Sequence, residues 1–130
     1  MKISRLLSLG SMFSPEYRRQ EAVVRKAVSA WVAANGFERS LPTVAEIAAD
    51  MGVPEMQLNR FIRAWYGKTV LSWRKELRIE EAKRLLLSLP DLPVSEIGRM
   101  VGVEDKSNFR KQFTELVRMS PRAWRERHGF

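Results

Sequence analysis

The ten-residue phrase VAEIAADMGV at 44–53 returns as VSEIGRMVGV at 94–103, with Val, Glu, Ile, Gly and Val at the same five offsets. The copying continues past these residues once a single insertion after the second glycine is allowed. Leu58 then matches Phe109, Arg60 matches Lys111, Ile62 matches Phe113, and Trp-Arg-Lys at 73–75 matches Trp-Arg-Glu at 124–126. Chance explains so long a match poorly. A chain of 130 residues that writes one unit twice is expected to fold it twice, as two small subdomains rather than one undivided core.

The pattern inside and around the unit is helical, with no sustained period-two alternation. Ser14-Pro15-Glu16 offers an oxygen cap, a proline for the first turn and an acidic partner for the helix dipole. Val24, Val28, Trp31 and Val32 continue it as one stripe, and Asn35-Gly36 stops it. Thr43 and Glu46 form a capping box that opens a short helix ending near Asp50. Gly52 permits a tight turn, and a second helix runs to Gly67. A long helix is expected from Val70 to Leu89 with Trp73, Leu77, Ala82, Leu85, Leu86 and Leu89 on its apolar side. The prolines in Pro-Asp-Leu-Pro at 90–93 end it. The expected organisation is a tail (1–14), a lead-in helix (15–40), a first helix-turn-helix (41–68), a linker helix (69–92), and a second helix-turn-helix with a C-terminal helix (93–130). The fold class is all-α.

Each copy is a short helix, a glycine turn and a second helix. Val44, Ile47, Ala48 and Met51 share one side of the first helix, and Leu58, Ile62 and Trp65 share one side of the second. Small Ala48, or Gly98 in the second copy, lets the paired helices approach closely. That is the logic of a helix-turn-helix, in which one helix braces another against a DNA major groove. Opposite the core side, the second helix carries Met56, Asn59, Arg60 and Arg63 in one copy. In the other it carries Lys106, Ser107, Arg110 and Lys111. These residue types suit base edges and phosphates. An ordinary solvated face would carry arginine and lysine too, but it gives no reason for the duplication. The formal net charge of +8 points the same way, towards a polyanion.

From about residue 41 to 125 the chain resembles the DNA-binding domain of the AraC/XylS family of bacterial transcription regulators. The residues that carry the resemblance are VAEIAADMGV with LNR, GKTVLSWRKELRIEEAKRLLL, VSEIGRMVGV, NFRKQF and SPRAWR. The middle segment is the most specific, with Arg78, Ala82, Leu85 and Leu86 spaced as in the family's linker. The resemblance implies two helix-turn-helix subdomains reading two successive major-groove segments on one face of the duplex. It places Met56, Asn59, Arg60, Lys106, Ser107, Arg110 and Lys111 at base edges. Phosphate contacts then fall to Thr43, Gln57, Arg63, Lys68, Thr69 and Asn108, with helix amino ends near the two threonines. Three positions depart from the family pattern. Pro54 stands where a serine usually caps the first recognition helix, and Val103 stands in place of a phenylalanine. Arg118 occupies a place commonly taken by glycine, where a positive backbone angle would strain it. Asp105 is expected to cap its own helix.

The implied partner is double-stranded DNA, with RNA polymerase as a further candidate, and the implied place is the bacterial cytoplasm, on the nucleoid. A variant reading makes the chain the output part of a larger regulator whose N-terminal sensor domain is missing here. The competing class is a basic helical module for a protein or an anionic membrane surface. It needs exposed large apolar residues flanked by lysines, whereas the apolar faces here are committed to the core. There is no cysteine, and the one histidine, His128, lies near the end. No catalytic residue, metal ligand or cofactor is therefore expected. The opening MKISRLLSLGSMF has a basic flank and leucines like a leader, but its apolar run is short and lacks a small-residue cleavage pattern. No stretch reaches the roughly 20 apolar residues of a membrane span.

Overall fold

In the computed structural model, which describes residues 14–129, Ser14 opens the chain as an N-cap whose hydroxyl oxygen accepts from the Tyr17 amide at 3.1 Å. The expectations for the leader-like segment at 1–13 lie outside the described residues. Helix α1 follows as Pro15–Ala33, with a short 3-10 turn at Gly36–Glu38. Then come α2 (Val44–Met51), α3 (Glu55–Tyr66), α4 (Val70–Ser88), α5 (Val94–Met100), α6 (Lys106–Val117) and α7 (Pro121–His128). The described residues contain no strand. The molecule is all-α.

The boundaries follow from capping chemistry. Thr43 caps α2 as expected by accepting from the Glu46 amide at 3.1 Å, while the Glu46 carboxylate accepts from the Thr43 hydroxyl at 3.0 Å rather than from the Thr43 backbone N–H that a full capping box uses. Thr69 does the same for α4 by accepting from the Ser72 amide, and Asp105 caps α6 by accepting from the Asn108 amide at 2.7 Å. Pro54, by contrast, begins α3 with no side-chain cap. Gly67 ends α3 at φ 69° and Arg118 ends α6 at φ 70°, both left-handed. The repeat thus extends to backbone angles. The arginine accepts a conformation that a Cβ disfavours.

Two compact units result. The first takes in α1 to α3 and the first turn of α4, through Trp73. Its buried side chains include Val24, Val28, Trp31, Ile47, Ala48, Leu58, Phe61 and Ile62. Trp31 stacks on Trp73 with ring centroids 5.8 Å apart, and its indole N–H donates to Asp50 at 2.8 Å. The lead-in helix is therefore built into the first unit. Phe61 takes the buried place expected for Trp65, which is half-buried. The Trp65 indole N–H has no hydrogen-bond partner among the described residues.

The second unit takes in Phe37–Ser40 and the chain from Arg74 onward. Its core gathers Ile79, Ala82, Leu85 and Leu86 of α4 with Ile97, Val101, Val103, Phe109, Phe113 and Trp124. Phe113 meets Phe109 and Trp124 at centroid distances of 6.0 and 6.4 Å. The apolar side of α4 departs from expectation at three residues. Ile79 is buried, while Leu77 is only half-buried and Leu89 is exposed. Leu89 lies past the last helical residue, and its carbonyl accepts from the Arg125 fork, which also takes Leu86 O at 2.9 Å. Arg78 is likewise structural, donating to Phe37 O at 2.6 Å and Arg39 O at 2.9 Å. Burial, and then the neighbouring Arg74, push its pKa down to about 10. The carbonyl acceptors hold a cation that burial disfavours.

Candidate nucleic-acid interface

Helices α3 and α6 are twelve residues each, and both of their ends are offset by the same 51 positions. Equivalent residues follow from that offset: Met56 with Ser107, Gln57 with Asn108, Asn59 with Arg110, and Arg60 with Lys111. One side of each helix is sealed into its unit, by Leu58, Phe61 and Ile62 in α3 and by Phe109 and Phe113 in α6. The 3.6-residue period then drives the intervening positions outward. All seven side chains expected at base edges are exposed, Met56 to 75%. A single exposed apolar side chain is ordinary on a protein surface, so Met56 counts here only together with its polar neighbours.

The ion pairs on the other helices sharpen the contrast. Arg84 pairs with Glu81, Lys83 with Glu80, Arg25 with Glu21, Arg99 with Glu96, and Arg122 with Glu126. Among the described residues Arg63, Lys106, Arg110 and Lys111 form no such pair. Arg78 and Arg125 are engaged with backbone carbonyls, and burial lowers the pKa of Arg74. Positive charge without an ion-pair partner among the described residues is therefore present on the outer faces of both α3 and α6.

The residues expected at phosphates divide into two kinds. Arg63 and Asn108 are exposed on the recognition helices, and Gln57 is half-buried on α3. Thr43 and Thr69 stand at the starts of α2 and α4, but both hydroxyls already serve as caps. What those two sites offer an anion is the helix amino end itself. Lys68 is half-buried just before α4.

One neighbour of the site had no signal in the sequence. The Arg60 guanidinium lies over the Tyr17 ring of α1, 5.6 Å from its centroid. Further along the same pair of helices, Arg25 lies over Trp65 at 6.0 Å. Tyr17 carried no helix-turn-helix pattern, so only the packing of α1 on α3 reveals it.

Comparison with known proteins fits this geometry. A family model described as a helix-turn-helix domain matches residues 47–127. The arabinose operon regulatory protein of Escherichia coli is 30% identical over 95% of this chain, which covers 45% of that protein. The chain spans less than half the length of curated relatives that it matches. Among solved structures, the C-terminal domain of AraT, a response regulator from Geobacillus stearothermophilus, superposes with a TM-score of 0.66. The two are 27% identical, over 90% of this chain and 88% of that one. The DNA-binding domain of AdpA, solved in complex with a target DNA, gives a TM-score of 0.68 at 24% identity. That likeness covers 81% of this chain and 91% of that one, and is a likeness of fold.

Proposed function

Because the chain belongs to the AraC-type helix-turn-helix family of transcription regulators, we propose that it reads a specific DNA sequence through two heads, in successive major-groove segments. The observation that carries this reading is the duplicated pair of helices α3 and α6, whose exposed faces hold unneutralised cations and amides at equivalent positions. Arg60, Arg110, Lys106 and Lys111 suit guanine O6 and N7, Asn59 suits adenine, Ser107 accepts or donates to either, and Met56 touches a thymine methyl. Arg63, Lys68, Gln57, Asn108 and the amino ends of α2 and α4 at Thr43 and Thr69 fix the register on phosphates.

No helix among the described residues is long and apolar enough to cross a membrane, and action on bacterial chromosomal DNA in the cytoplasm fits the reading. Its relatives are longer, so a sensor domain joined to this one, and RNA polymerase as the partner that it recruits, belong to the same proposal. The reading asks for no enzymatic step, cofactor or metal.

Selection from a randomised duplex pool tests it. The expected product is an asymmetric site of two half-sites about 10 base pairs apart. Arg60→Ala and Lys111→Ala should then each cost about 1–3 kcal/mol on that site and relax base preference at separate positions. Equal losses on random duplex would make both residues phosphate contacts and overturn the assignment.

A further inference from the structure

Arginine at a reading position brings a cost that the fold addresses. A free arginine on an exposed helix samples many rotamers, and docking on a base edge freezes them. Arg60 is exposed on α3, yet its guanidinium is seated over the Tyr17 ring at 5.6 Å. The backbone that carries the ring is held. Tyr17 is half-buried in the first turn of α1, its amide donates to the Ser14 cap, and α1 is fixed by Val24, Val28 and Trp31 in the core. The second cation–aromatic contact, Arg25 over Trp65, adds another tie between α1 and α3.

A cation–aromatic contact draws on the charge of the guanidinium and occupies none of its N–H donors in a conventional hydrogen bond, so the donors along its edge remain for another partner. Bidentate recognition of guanine O6 and N7 uses that edge. The two contacts are therefore compatible. We propose that Tyr17 is a positioning residue that pre-orients Arg60 for its base, which makes α1 part of the first reading head. This inference rests on the reading of Arg60 as a base contact. Lys111, the equivalent residue in the second unit, has a flexible ammonium with no planar fork to orient.

The experiment measures discrimination at the single base pair that Arg60 reads, using labelled duplexes carrying the selected site and its substitutions. Tyr17→Leu should lower discrimination there about two- to fivefold, the range expected for an exposed cation–aromatic contact. Discrimination at pairs read by α6 should not change. Tyr17→Phe, which keeps the ring, should behave as the parent, and Arg60→Lys, which loses the planar fork, should show the loss. In an Arg60→Ala background Tyr17→Leu should have no further effect. Thermal unfolding of each variant separates these effects from a loss of fold. If Arg60→Ala relaxes base preference while Tyr17→Leu leaves it intact, or weakens all duplexes equally, the positioning role is overturned and the reading of Arg60 stands. If Arg60→Ala leaves base preference intact, that reading falls and the positioning role falls with it.

Discussion

Arg118 adopts φ 70° at the end of α6, where Gly67 adopts φ 69° at the end of α3. A side chain in the left-handed region costs roughly 1–2 kcal/mol, part of which glycine would return through its greater freedom in the unfolded chain. Arg118→Gly should therefore stabilise the protein by about 0.5–1 kcal/mol, read as a higher urea midpoint at unchanged slope. A lower midpoint would mean that the arginine side chain contributes more than its backbone costs. At this scale the sequence was informative about types and less so about duties. Arg78 stood out in the linker pattern, but its partners Phe37 O and Arg39 O lie 41 and 39 residues away, and no local pattern encodes them. Tyr17 was invisible for the same reason, because its role depends on which helix packs beside it.

Among the elements, the two short bracing helices differ in one instructive way. A Cβ added to Gly98 of α5 would come within 2.7 Å of the Phe109 ring, whereas the first unit pairs Ala48 with the smaller Leu58 at the equivalent positions. The second unit has exchanged a methyl on one helix for a larger side chain on the other. Gly98→Ala should overpack that contact and cost about 1–3 kcal/mol. Phe109→Leu in the same molecule should recover much of the loss, as a double-mutant cycle in chemical unfolding would show. Independent, additive losses would mean that the two residues do not share this space. Helix extents were legible because caps and breakers are local: Ser14, Thr43, Asp105 and the Pro-Asp-Leu-Pro break did what their chemistry dictates. The buried side of α4 was less legible. Periodicity gave a single stripe, whereas burial passes from Val70 and Trp73 in one unit to Ile79, Ala82 and Leu86 in the other.

For the whole molecule, the net charge of +8 has a measurable consequence. Arg63, Lys68, Gln57, Asn108 and the helix amino ends at Thr43 and Thr69 are the six phosphate contacts proposed for the two heads. If about six phosphates are neutralised, log affinity should fall with log salt at a slope near −5. A slope near −1 or −2 would leave too few contacts for both heads to be engaged. The equal lengths and matching end angles of α3 and α6 carry a last implication. On the proposed reading scaffold and vocabulary are separable, because the same backbone frame presents Met56, Asn59 and Arg60 in one place and Ser107, Arg110 and Lys111 in the other. Transplanting the second trio onto the first frame would leave every buried side chain of α3 in place. With Lys106 carried over to position 55 as well, the product is expected on the proposed reading to spell one DNA word twice, so that mutation rewrites one half of the lexicon while the grammar of the fold is kept.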